Sequence, residues 1–122
     1  MTINNFEHLQ NSVWDWAILN GCFGESKIKV SDIDGIVESK GKFIIFECKF
    51  RPSDPIPTGQ ELMIKALTAS KLFTVVVLWG DKTPEQMKVY YPNGLVTDKR
   101  QANLGDLRDI VTRWYNHTLK EQ

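Results

Sequence analysis

The sequence predicts an α/β fold, a small mixed β-sheet flanked by helices. Three observations carry this. Residues 73–79, "FTVVVLW", are apolar and largely β-branched without alternation, the pattern of a strand covered on both faces in parallel pairing. Residues 33–38 and 42–50 read as two strands joined by "SKG", a tight hairpin signal with glycine at its end. Two further segments repeat apolar residues at helical spacing, which gives the sheet helices to pack against.

In chain order, residues 4–19 predict a first helix, with Phe6, Leu9, Val13, Trp16 and Ala17 at helical intervals and Asn20-Gly21 as its stop. Residues 22–30 are short and irregular, and 27–30 read as the start of a strand. The hairpin follows, and then "RPSDPIPTGQ", whose three prolines predict a stiff irregular loop. Thr58 is a suitable N-cap for a helix over 59–71, with Glu61 three residues on completing a capping box. After the strand at 73–79, "MKVYY" and "LVT" flank "PNG", a second hairpin signal. Residues 104–119 form an amphipathic helix with Leu107, Ile110, Val111, Trp114 and Tyr115 on one side. The four tryptophans, Trp14, Trp16, Trp79 and Trp114, are expected mostly in the core.

A chain of 122 residues holds one domain, 1–122, and can bury roughly two thirds of its unfolded surface without staples. No window is apolar enough to span a membrane, and "MTINNFEHLQ" lacks the features of a signal peptide, so an intracellular, cytoplasmic protein is expected. Two cysteines fit that compartment, and Cys48 reads as a small buried hydrophobe. Two cysteines without neighbouring histidines do not make a zinc site, and His8 and His117 lie at opposite ends of the chain. Fifteen basic residues balance fifteen acidic ones. Such a chain does not coat nucleic acid by bulk charge, so any contact comes from a local patch, a metal or a partner.

The informative stretch is "SDIDGIVESKGKFIIFECKF", residues 31–50. Side chains alternate along a strand, so Asp32 and Asp34 share a face, as do Glu47 and Lys49. A turn centred on Ser39 and Lys40 pairs Glu38 with Gly41, which sets Asp34 opposite Ile45 and Asp32 opposite Glu47. Three carboxylates and one ammonium then project from one end of the hairpin. Crowded carboxylates raise one another's pKa, and charges beside an apolar run lose hydration. One lysine does not balance three acids, whereas a hard divalent ion, Mg²⁺ or Mn²⁺, bound by oxygen ligands does.

"DIDG", a turn, an apolar run and then "ECK" resemble the active-site signature of the PD-(D/E)XK nuclease superfamily. The resemblance covers about residues 4–79. It implies a restriction-endonuclease-like α-β-β-β-α-β core carrying a C-terminal hairpin and helix. It further implies a Mg²⁺-dependent endonuclease, with Mn²⁺ as substitute, that cleaves duplex, flapped or branched DNA to leave a 5′-phosphate. Asp34 and Glu47 would be metal ligands with the Cys48 backbone carbonyl as a third, and Lys49 would position the attacking water. Gln60 matches a glutamine that some branches carry at the start of the next helix. Glu7, with Asp15 behind it, is the candidate for a first-helix acid. The motif reads "SDID", without the proline that names the superfamily.

The small size resembles phage-type or Holliday-junction-resolvase-like members, which would place the protein in a bacterial host. Zero net charge points to a homodimer for tight DNA binding. Arg51 and the cluster Lys99, Arg100, Arg108 and Arg113 are the candidate phosphate contacts. The residues alone leave a second reading open: a catalytically inactive nuclease-fold module that binds nucleic acid or a partner protein, its charges an ordinary ion-pair network. They do not separate DNA from RNA, nor decide whether Asp32 takes part.

Overall fold

The computed structural model describes residues 14–120. Residues 6–9, the predicted start of the first helix, lie outside them, as do Glu7 and His8. The chain divides into two compact units, Met1–Asp32 and Ile33–Gln122.

In the first unit a single 3₁₀ turn, Trp16–Leu19, is followed by tight turns. The Asp15 carboxylate accepts a hydrogen bond from the Ala17 amide at 2.9 Å and caps that turn. None of residues 22–30 forms a strand, against the expectation at 27–30. Gly21 and Gly24, both at positive φ, turn the chain repeatedly there and interrupt any ladder. Trp14 is 68% exposed and Trp16 is also exposed, which corrects their placement in the core.

The second unit is a five-stranded mixed sheet with two helices, in the order β1 (Gly35–Ser39), β2 (Lys42–Lys49), α1 (Thr58–Ala69), β3 (Phe73–Trp79), β4 (Gln86–Tyr90), β5 (Arg100–Gln101) and α2 (Leu104–Lys120). The strands lie side by side in sequence order. β2 and β3 run parallel, linked through α1, and the other neighbours are antiparallel.

Alternation along β3 divides the core in two. Val75, Val77 and Trp79 face one side with Ile45, Tyr90 and Ile64 of α1. Val76 and Leu78 face the other with Ile44, Met87, Val89 and Ile110 of α2. Burying each such side chain contributes about 1.5–3 kcal/mol, and β3 buries six in a row from Thr74 to Trp79. That explains the unalternating sequence: both faces are covered, so neither can be polar.

The β1–β2 turn differs from the expected one. Lys40 and Gly41 both adopt positive φ, the geometry of a two-residue hairpin turn, so Ser39 pairs with Lys42 and Glu38 with Phe43. The register moves by two residues, which preserves the faces but changes every partner.

At the head of α1 the expected capping box is absent. Pro57 takes the cap position with no side-chain bond, and Thr58 begins the helix. Glu61 turns to Tyr90 instead, accepting from its hydroxyl at 2.6 Å. Beyond "PNG", pairing is a single bridge between Tyr90 and Val96, and the ladder resumes at Arg100.

Candidate active site

The site lies where the parallel strands β2 and β3 end, a usual location for ligands in sheets of this kind. Glu47 and Lys49 are on the odd positions of β2 and therefore face α1, while Cys48 faces α2. Glu47 is buried, at 6% exposure, and Lys49 is half-buried. Gln60, in the first turn of α1, donates from Nε2 to Glu47 Oε2 at 2.5 Å.

The corrected register decides which aspartate stands beside Glu47. Gly35 pairs with Phe46, so one step further along brings Asp34, not Asp32, level with Glu47. Asp34 lies beyond the last ladder pair, at the end of the sheet. Its Oδ2 accepts from the Cys48 amide at 2.8 Å. The expected trio of carboxylates does not form. No three His, Cys, Asp or Glu residues gather into a metal-binding group among the described residues.

Backbone groups of odd β2 residues serve β3: the Phe43 amide donates to the Leu72 carbonyl, and the Lys49 carbonyl accepts from Gly80 at 2.9 Å. Even residues therefore address β1, and the Cys48 amide and carbonyl face the β1 side past its last pair. Gly80 is obligatory here. At φ +154° a Cβ would stand 2.0 Å from the Thr83 carbonyl oxygen.

The Cys48 side chain is exposed, contrary to the expected burial. β1 covers β2 only as far as Phe46, so Cys48 projects past the core. It borders a groove of about 550 Å³ with Asp34, Phe46, Leu107 and Arg108.

Burial pushes the Glu47 carboxyl above its ordinary value, and the Asp34 charge adds to that. Lys49, the Gln60 amide and the Asp34 backbone amide oppose the rise without cancelling it. Burial likewise raises the Cys48 thiol, helped by Asp34 and Glu47. The Gln60 Oε1 atom is buried with no hydrogen-bond partner. A buried acid under like-charge stress, a second carboxylate and an unpartnered buried carbonyl oxygen form an all-oxygen donor set. That set fits a hard cation, which needs only one or two carboxylates.

The proline loop after Lys49 is pinned by residues that sequence reasoning did not single out. Trp79, opposite Lys49 on β3, donates from Nε1 to the Asp54 carbonyl at 2.7 Å. The Lys99 ammonium sits 4.1 Å from the Trp79 ring centroid and donates to the Pro52 carbonyl. The strand pattern of 73–79 marked Trp79 as core, but nothing local marked Lys99. The expected basic cluster is dispersed: Lys99 serves this loop, Arg108 borders the groove beside Asp34, and Arg113 borders a different groove. Arg51 is exposed at the start of the loop. Of the two first-helix candidates, Asp15 is occupied as a cap and Glu7 lies outside the described residues.

The fold is thus mixed α/β, with a carboxylate–lysine–glutamine constellation at the carboxyl end of its parallel strands. No helix among the described residues is long and apolar enough to cross a membrane. No protein-family model matches the chain, and neither does any curated protein or solved structure.

Proposed function

We propose that this protein is a metal-dependent phosphodiesterase, an endonuclease acting on DNA. The observation that carries the reading is Glu47: an acid buried beside a second acid, held by Gln60 and accompanied by Lys49 on the same face. A charged group placed at such cost is better explained by a ligand than by stability.

Asp34, Glu47 and the Cys48 carbonyl would hold Mg²⁺, with Mn²⁺ as a substitute. When bound, the ion supplies polarisation of the scissile phosphate and a lowered pKa for water. The chain's own residues do the rest. Gln60 fixes the orientation of the Glu47 carboxylate, and the Cys48 amide does the same for Asp34. Lys49 orients water by hydrogen bonding and offsets negative charge developing on the phosphate. The loop held by Trp79 and Lys99 forms a fixed wall beside Lys49. With no net charge on the chain, binding a polyanion tightly calls for a second copy.

One observation favours a second reading, an inactive nuclease-fold module that binds nucleic acid or a partner protein. The Gln60 amide already satisfies one Glu47 oxygen without a metal. Cleavage separates the two. Purified protein and Lys49→Ala are incubated with supercoiled plasmid, flapped duplex, four-way junction and structured RNA in Mg²⁺, Mn²⁺ or EDTA. Metal-dependent cleavage lost in Lys49→Ala is the expected result, and the substrate cut separates DNA from RNA. Failure to cut any substrate, with a melting temperature indifferent to metal, would favour the binding module.

A further inference from the structure

A second site lies at the opposite end of the same strands and on the opposite face of the sheet. A groove of about 610 Å³ opens between α2 and the amino-terminal ends of β2 and β3. Ligand pockets commonly measure about 300–1,000 Å³. Lys42 begins β2 and Lys49 ends it, so at about 3.3 Å per residue the two sites stand about 23 Å apart along the strand.

The composition of this groove is what singles it out. Lys42, Lys71, Arg113 and His117 border it, and no described acidic residue does. In a chain with fifteen charges of each sign, such local segregation is a departure from the whole. These cations come from four separate places: a strand start, a helix exit and two turns of α2. Their convergence is a product of packing rather than of one solvated basic run.

The groove is also built. The Lys42 ammonium donates to the Lys71 carbonyl at 3.3 Å, which ties the two basic segments together. Thr118, buried, shares a 2.7 Å hydrogen bond with Ser39 and anchors the end of α2 to β1. Aromatic surface completes the lining: Trp114 and Tyr91, both half-buried, border the groove while also packing on the core.

Cations without counter-charges favour a phosphate, and arginine presents a planar fork that matches its oxygens. Half-buried indole and phenol rings provide faces on which a nucleobase stacks, an interaction tolerant of base identity. We propose that this groove binds a nucleotide. Lys71 and Arg113, with Lys42 beside them, hold the phosphate, and the base lies against Trp114 and Tyr91. The ligand chemistry is one phosphate joined to one base. Its source is either a free mononucleotide or the phosphorylated end of a single strand.

The test follows tryptophan fluorescence and binding heat while the full chain is titrated with a nucleoside 5′-monophosphate. Parallel titrations use the nucleoside, inorganic phosphate and a 5′-phosphorylated single-stranded oligonucleotide. Saturable quenching by the monophosphate is expected, with the nucleoside and phosphate each binding at least about tenfold more weakly. Arg113→Glu and Lys71→Glu change exposed side chains and should each weaken binding about tenfold or more while melting temperature holds. Saturation by the oligonucleotide alone, sensitive to the same substitutions, supports the groove and assigns the strand end as source.

Binding of the monophosphate unaffected by either substitution, or no tighter than inorganic phosphate, overturns the proposal. So does failure of both nucleotide forms to bind. Glu47→Ala should leave this binding intact, so the result is independent of the phosphodiesterase reading.

Discussion

Glu47 and Glu61 sit on the same side of the sheet, yet their environments drive them in opposite directions. Each accepts one short side-chain hydrogen bond, from Gln60 Nε2 at 2.5 Å and from the Tyr90 hydroxyl at 2.6 Å. Burial and the Asp34 charge nevertheless raise Glu47 above the ordinary glutamate value. Glu61 is lowered, chiefly by the Tyr90 bond, with help from Lys88 and Lys65. The Tyr90 hydroxyl answers by moving up, through its own burial and the Glu61 carboxylate beside it. A single good hydrogen bond therefore does not settle a carboxylate. The charges around it and its access to water do. Glu61 has the environment of a structural acid, and Glu47 that of an acid kept for a ligand.

The largest expected effect breaks the pair apart in function. Glu47→Ala should lower metal-dependent cleavage by about 10²–10³-fold, measured as initial rate on the substrate cut by the parent protein. Glu61→Ala should leave that rate unchanged. Equal losses in both variants would mean that the difference between the two acids has no functional content.

Stability with metal comes next. At about one hundred times its dissociation constant, Mg²⁺ should stabilise the parent protein by about 2.7 kcal/mol, read from thermal melts. The gain should persist in Glu61→Gln and vanish in Glu47→Gln. A shift retained in Glu47→Gln would place the ion elsewhere.

Tyr90→Phe removes a bond to a charged acceptor from a buried position and should cost about 1.5–3 kcal/mol in chemical denaturation. If stability holds, the Tyr90–Glu61 bond does not define the structural acid.

The pH dependence in EDTA sharpens the contrast, because the two signs are opposite. Glu47 is raised from 4.5, so the native state binds its proton more tightly than the unfolded chain does. Its contribution is complete below pH 4.5 and is lost as pH rises through the elevated native value. Glu61 is lowered from 4.5, so its contribution is complete above pH 4.5 and is lost as pH falls through the depressed native value. Denaturation across this range should show Glu47→Gln removing the first dependence and Glu61→Gln the second. Loss of both dependences from one substitution would show a single coupled system. The smallest effect belongs to Lys65→Ala. Its ammonium lies 3.5 Å from Glu61 on a side chain 61% exposed, and its loss should cost a few tenths of a kcal/mol at most.

Much of this frame was legible in the sequence. The strand at 73–79 is where its unalternating run placed it, paired in parallel with β2. The two helices of the second unit fall within a residue or two of their expected bounds, since apolar spacing reports directly which face is buried. Elsewhere a stronger local competitor overrode the signal. The two-residue turn at Lys40-Gly41 set the hairpin register and exchanged Asp32 for Asp34 beside Glu47. Tyr90, 29 residues away, drew Glu61 out of its capping box. Cys48 continues an apolar run but is exposed, because an edge strand that stops short is invisible from the neighbouring strand's sequence.

What the sequence determined by itself is parity and order. Period-two alternation puts Glu47 and Lys49 on one face of β2, and the stretch from 58 to 69 supplies a helix whose first turn carries Gln60. Tertiary structure alone decided which acid is buried, which carboxylate stands next to it, and that Lys42, Lys71 and Arg113 meet around one groove. These are properties of the space between elements. A local pattern specifies the face a side chain takes. The charge and dielectric it meets there depend on residues brought in from elsewhere in the chain.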